Sequence, residues 1–194
     1  VPLIVPDLRR RAGDESGPWD TDTAYEQWVP QRRDWYMVRP LVGPDLLRRY
    51  APYYYEWLLH PDESDWWDFA DVEDDFGKMR VPVQLVSGWY DNSYGTIGAT
   101  RGFNGMRERA ATPEARENTR LMLGPWTHTS LYVDRTAFGD LEFGPNAGID
   151  YDAFLLRWFD ARLKGIDNGV DELPPVRIFV MGDNRWRYEN EWPL

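Results

Sequence analysis

Two regimes of hydrophobic patterning divide the chain near residue 80. From Val81 onward, short apolar runs alternate with longer segments of helical period. Val83-Gln84-Leu85-Val86 is introduced by Pro82 and stopped by Gly88, which predicts a short buried strand. A helical segment follows over residues 93–110, loosened by Gly95, Gly98, Gly102 and Gly105. Residues 119–123 (TRLML) predict the next strand, ended by Gly124-Pro125. After a loop to Gly148, Tyr151, Phe154, Leu155, Trp158, Phe159 and Leu163 recur at i, i+3, i+4, i+7, i+8 and i+12. That stripe predicts an amphipathic helix over 150–163 with Gly165 as its stop, and with Trp158 and Phe159 in the core. Pro174-Pro175 leads into residues 176–181 (VRIFVM), a further strand. Strand, helix, strand, helix is the alternation of an α/β layered domain. The strand beyond the double proline is assigned to a separate unit.

Before residue 81 the pattern is different. Residues 1–18 are irregular, with Pro2, Pro6 and Pro18, and Arg9-Arg10-Arg11 read as a solvated turn. Residues 20–36 carry Trp28, Trp35 and Tyr36 near helical spacing, with Pro30 as a kink or break. Residues 45–59 (DLLRRYAPYYYEWLL) form a second ring-rich helical candidate interrupted at Pro52. Residues 62–69 (DESDWWDF) predict a third, with Asp62 as N-cap and early acids matching the helix dipole. Short helices this rich in rings describe a lid or cap better than a sheet.

Composition narrows the function. The 194 residues carry 22 basic and 33 acidic side chains, for a net charge of −11. That balance argues against a nucleic-acid binder, which needs clustered Lys and Arg to displace counterions. The absence of Cys excludes disulfide frameworks, zinc–thiolate sites and cysteine nucleophiles. No stretch approaches the run of roughly 20 apolar residues that spans a bilayer, and no signal-peptide pattern opens the chain. The preference for Arg over Lys points to a bacterial source, and the cytoplasm is slightly favoured as the compartment.

Two places can carry chemistry, and both lie where a predicted strand runs out. Asp91 closes Ser87-Gly88-Trp89-Tyr90-Asp91, and His128 closes Gly124-Pro125-Trp126-Thr127-His128. Ligands of open α/β sheets bind at the carboxyl ends of the strands, so both side chains project where sites form. A carboxylate that fixes an imidazole tautomer and stabilises the imidazolium lets the His take a proton from a nucleophile. Acid before His is also the chain order of α/β-hydrolases. The structural alternative makes Asp91 a loop cap and His128 a surface residue. The serines Ser16, Ser64, Ser87, Ser93 and Ser130 all lie outside a Gly-x-Ser-x-Gly elbow, so none is a candidate nucleophile.

Gly88-Trp89-Tyr90-Asp91 followed by Gly124-Pro125-Trp126-Thr127-His128 resembles the acid and histidine motifs of the CocE/NonD serine hydrolases. That family includes cocaine esterase, α-amino acid ester hydrolases, glutaryl-cephalosporin acylases and X-prolyl dipeptidyl peptidases. Residues 176–187 with Glu191-Trp192-Pro193 resemble the entry into its C-terminal jelly roll, and His60-Pro61 to Trp66-Trp67 resemble its cap helices. The resemblance implies Asp91 as triad acid and His128 as triad base. It also implies that the serine elbow and oxyanion tyrosine precede the cap, in an N-terminal segment outside this chain, so that this piece alone is inactive. α-Amino acid ester hydrolases place further carboxylates just after the triad acid. Asn92, Ser93 and Tyr94 stand there instead, which argues against that subgroup.

The expected architecture is therefore α/β: the C-terminal half of an α/β-hydrolase domain with a helical cap, ending at the first strand of a jelly roll. The expected boundaries are 1–80 for the cap, 81–172 for the α/β part and 173–194 for the start of the jelly roll. Trp57, Trp66, Trp67 and Tyr90 are candidate substrate-binding rings, against the alternative that cap rings simply pack. Trp126 is expected to prop the His loop, and His60 to be a structural contact. The acidic groups Asp62-Glu63, Asp71 and Glu73-Asp74-Asp75 lack cation-loop spacing, so no metal and no cofactor is expected. The expected substrate is a small ester, amide or short peptide. A homo-oligomer is left open, and nucleic acid and membrane are not expected as partners. The competing class is a non-enzymatic carbohydrate- or ligand-binding module presenting coplanar exposed Trp faces.

Overall fold

The computed structural model describes residues 51–194 apart from Glu63, Ser93-Tyr94 and 129–135, together with scattered positions between 10 and 48. The helix expected over 20–36 and the Arg9-Arg10-Arg11 turn lie mostly outside the described residues. The chain divides into two compact units, Val1–Ala70 and Asp71–Leu194.

In the first unit, helix α1 spans Tyr53–Leu59. Pro52 stands at its N-cap, where the missing N–H costs nothing. The helix expected over 62–69 is instead a single 3-10 turn, Asp65–Trp67. Its N-cap is Ser64 and not Asp62, and no side chain caps it. Ring contacts set this geometry: Trp66 stacks on His60 at 4.3 Å and 6°, while Trp67 Nε1 donates to the His60 carbonyl at 3.0 Å. His60 is thus the structural contact expected of it.

The second unit is built on a four-stranded sheet in the order β1-β2-β5-β6. The strands are β1 (Gln84–Gly88), β2 (Arg120–Gly124), β5 (Val176–Val180) and β6 (Arg185–Glu189). β1 pairs with β2 and β2 with β5, both in parallel, and β6 returns antiparallel along β5. A two-stranded hairpin, β3 (Ala137–Phe138) and β4 (Leu141–Glu142), falls in the expected loop. Helix α2 (Gly95–Arg109) covers one face of the sheet, where Phe103 packs with Leu121, Leu123, Val176 and Ile178. Helix α4 (Tyr151–Lys164) lies on the other face, where Tyr151 and Phe154 join Met122 and Trp126. The short helix α3 (Pro113–Asn118) links α2 to β2, with the Thr112 hydroxyl as its N-cap.

Three expectations change. Residues 71–80 fall with the α/β unit, because Phe76 is buried against Met106 and Ala115, and its ring sits where a Cβ on Gly105 would be. Residues 173–194 are likewise not set apart: Val176–Val180 hydrogen-bonds to β2 and continues the same sheet, between β2 and β6. The double proline marks a tight entry into that strand and no domain boundary. On α4, Trp158 is buried, but Phe159 is 48% and Leu163 78% exposed. The Tyr151–Phe154–Trp158 row meets the sheet, and the flanking row of the wide apolar stripe turns away from it.

Candidate active site

The site stands at the carboxyl ends of β1 and β2, adjacent parallel strands in register from Gln84↔Arg120 to Gly88↔Gly124. Beyond β1 the chain turns tightly: Asp91 N donates to the Gly88 carbonyl at 3.0 Å, and Thr96 Oγ1 donates to the same oxygen at 3.1 Å. The two strand ends are laced together, with Trp89 N donating to Gly124 O at 2.8 Å and Tyr90 N to Trp126 O at 3.0 Å. These backbone bonds hold the two loops at a fixed spacing.

The glycines and tryptophan of the two motifs have steric work there. A Cβ on Gly88 would lie 2.0 Å from the Trp126 carbonyl oxygen, so only glycine lets the histidine loop cross this close. A Cβ on Gly124 would lie 2.3 Å from the Trp126 indole, which folds back over that residue. Trp126 is 3% exposed and its Nε1 donates to the Ala147 carbonyl at 3.0 Å. The indole is therefore pinned on both sides and props the loop that carries His128, as expected.

Asp91 and His128 meet. His128 Nδ1 lies 3.2 Å from Asp91 Oδ1 and 3.3 Å from Oδ2. The carboxylate side chain is 9% exposed and the imidazole 43%. With Nδ1 held as the donor to a carboxylate, Nε2 is the unprotonated nitrogen that a general base needs. Ser87, at the end of β1, contributes a contact that sequence reasoning missed: its Oγ donates to Asp91 Oδ2 at 3.4 Å. A serine four residues before an aspartate has no distinctive pattern, so only the turn geometry reveals it.

The remaining candidates are divided between the units. Tyr90 is half-buried, stacked on Phe138 at 4.5 Å and near Phe143 at 6.0 Å, and it packs against the Phe143–Ala147–Phe179 cluster. Its neighbour Trp89 ties the turn to the sheet, Nε1 donating to the Phe179 carbonyl at 2.8 Å. Trp57, Trp66 and Trp67 cluster within the first unit: Trp57 and Trp67 are 6.4 Å apart, and Trp66 meets Trp67 edge-on at 4.6 Å and 87°. Trp57 is 46% exposed and Phe69, beside Trp66, 74%. Among the described residues no three His, Asp or Glu side chains come together as a metal site, and no helix is long and apolar enough to cross a membrane.

Comparison with known proteins bears on the same residues. The model of the X-Pro dipeptidyl-peptidase (S15) family matches residues 14–130, which include both Asp91 and His128. Cocaine esterase of Rhodococcus sp. (strain MB1 Bresler) is 32% identical over 161 residues, covering 81% of this chain and 26% of that protein. This chain thus spans about a quarter of the length of that relative. An aminopeptidase from a marine sediment archaeon, Thaumarchaeota archaeon, superposes with a TM-score of 0.62 at 20% identity, over 97% of this chain and 30% of that one. An α-amino acid ester hydrolase superposes with a TM-score of 0.56 at 23% identity, over 77% of this chain and 25% of the other. These two likenesses concern the fold.

Proposed function

The chain belongs to the X-Pro dipeptidyl-peptidase (S15) family, and on that footing we propose that it carries the acid and the base of a serine hydrolase acting on small esters, amides or short peptides. The observation that carries the reading is the Asp91 carboxylate 3.2 Å from His128 Nδ1 at the ends of neighbouring parallel strands. In this reading His128 Nε2 takes the proton of a serine hydroxyl as that oxygen attacks the substrate carbonyl. It then returns the proton to the leaving alkoxide or amine. Asp91 holds the imidazole tautomer and stabilises the imidazolium, without itself taking the proton. Ser87 supports the carboxylate. The nucleophile is assigned to a Gly-x-Ser-x-Gly elbow elsewhere in the full-length protein, since none of the serines here has that setting.

The first unit fits the helical cap of such a hydrolase, and Trp57, Trp66 and Trp67 offer aromatic surface to the apolar part of a substrate. The competing reading, a binding module with coplanar exposed rings, is less well supported. Trp66 and Trp67 stand at 87° to each other, so they form a wedge and not a platform.

The test is kinetic, on the full-length protein with an activated ester and a fluorophosphonate probe. Asp91→Asn and His128→Ala should each lower kcat by about three to four orders of magnitude and slow probe labelling, with circular dichroism unchanged. Folded variants that keep wild-type rates would end the triad assignment.

A further inference from the structure

The sheet face under α4 holds a group of side chains that the acid–base pair does not use. In register, Gln84 stands beside Arg120, and Met122, Arg177 and Tyr188 form one cross-strand row. Arg120, Arg177 and Tyr188, with Phe154, Arg157 and Trp158 of α4, line a cavity of about 500 Å³ counting its open mouth. Gln84 and Arg120 begin their strands and Pro174-Pro175 precede β5. The cavity is thus set toward the amino ends of the parallel strands, whereas Asp91 and His128 follow their carboxyl ends.

Three arginines in one cavity are unexpected in a chain of net charge −11. Two are largely committed. Arg120, 7% exposed, donates from Nη1 to the Leu173 carbonyl at 2.5 Å, and its Nη2 lies 3.7 Å from Asp171, a carboxylate shared with Arg162. Arg157 donates from Nε and Nη2 to the Asn168 carbonyl at 3.2 and 2.8 Å. Arg177 is different. Its guanidinium lies 4.2 Å from the Trp186 ring centre and 5.7 Å from that of Tyr188, and no carboxylate pairs with it among the described residues. The Nε atoms of both Arg177 and Arg120 are buried without a hydrogen-bond partner. Burial pushes both guanidinium groups below their ordinary range, the mark of cations held away from water.

A half-buried guanidinium that lines a cavity, stacked on rings and without a carboxylate partner among the described residues, is complementary to an anion. The donors left over are few: the terminal N–H groups of Arg177. That suits the two oxygens of a carboxylate better than the three or four of a phosphate. The rest of the wall is aromatic and aliphatic, so the ligand needs an apolar body. We infer that this cavity binds a small organic carboxylate, its charged end on Arg177 and its apolar body against Phe154, Trp158 and Tyr188. Ester and amide hydrolysis releases carboxylic acids, so the ligand class includes the acid product of the proposed reaction. That link rests on the proposed activity; the binding itself does not.

Calorimetric titration of the protein with benzoate tests the site, with benzamide as the neutral isostere and inorganic phosphate as an anion without an apolar body. Benzoate should bind saturably and about tenfold or more tightly than either control. Arg177→Met should weaken benzoate by about tenfold or more, while Arg185→Met, on an exposed side chain of β6, leaves it unchanged. Because replacing a buried arginine can disturb folding, phenylglyoxal modification of the unaltered protein, read by mass spectrometry, gives a second measure. Benzoate should protect Arg177 and not Arg185. Equal binding of benzamide, full binding by a folded Arg177→Met variant, or an unprotected Arg177 would each overturn the proposal.

Discussion

Gly88 shows how one residue can hold a site together without touching substrate. The backbone of Trp126 passes so close that a methyl group would overlap its carbonyl oxygen, and the neighbour is main chain that cannot swing aside. Gly88→Ala must push the two strand-end loops apart, and with them the Tyr90 N to Trp126 O bond of 3.0 Å. The expected cost is about 1–3 kcal/mol of stability, read as a lower urea midpoint at unchanged m-value. The Asp91–His128 distance of 3.2 Å should lengthen as well. Activity of the full-length variant should therefore fall further than the loss of folded protein alone explains; an unaltered midpoint would show that the loop yields freely. At this scale the site was legible. Asp91 and His128 declare themselves because each ends a strand pattern, and Trp126 because it sits between the glycine and the histidine it supports. Ser87 and the packing of Tyr90 were not, since a hydroxyl bond across a turn and a ring stack on a distant hairpin leave no periodic trace.

Helix α4 marks what an element's own pattern does and does not determine. Its existence, its N-terminal Asp150 and its Gly165 stop, in the left-handed region at φ 66°, all follow from the sequence. Which part of the stripe is buried does not, because that depends on the width of the sheet beneath. The Tyr151–Phe154–Trp158 row meets the strands, and Phe159 and Leu163 are left outside. The same reason explains β5. Nothing in VRIFVM says which strand it will pair with, and Pro174-Pro175 suggested a boundary where the chain was only entering the sheet. α3 was missed although Thr112-Pro113-Glu114 is a fair helix start; at six residues it is too short to establish a period. The cap on α4 can be tested directly. Asp150 Oδ1 accepts from Ala153 N at 2.9 Å, an exposed bond that satisfies one of the helix's unpaired N–H groups. Asp150→Ala should cost about 1 kcal/mol, and Asp150→Asn, which preserves the acceptor, only a fraction of that. Equal losses in the two variants would assign the effect to charge at the helix start and not to the cap bond.

Across the whole molecule, six of the eleven tryptophans, all among the described residues, show two uses. Trp89 fastens its loop to β5 through an Nε1 bond to the Phe179 carbonyl at 2.8 Å, while Trp126 of the histidine loop and Trp186 of β6 both bond the Pro145–Ala147 turn, at the Ala147 and Asn146 carbonyls, at 3.0 and 2.7 Å. Trp57, Trp66 and Trp67 pack with one another in the first unit. The sheet itself is asymmetric. β6 closes one side antiparallel, while β1 forms the other edge, with no strand beyond it among the described residues. Arg120 N donates to Val83 O and Trp89 N to Gly124 O, a phase that turns the odd-numbered residues of β1 toward β2. The N–H and C=O of Gln84 and Val86 therefore face outward from an apolar parallel edge, a place where chains recruit another strand. Hydrogen exchange resolved by residue reads this directly. In the 194-residue chain the Val86 amide should exchange about tenfold or more faster than those of Leu85 and Ser87, whose N–H groups point at β2. In a full-length protein that lays a further strand along β1, as the proposed hydrolase sheet requires, Val86 should slow to the rate of its neighbours. If all three amides exchange alike in the isolated chain, the edge is already covered and β1 is an inner strand.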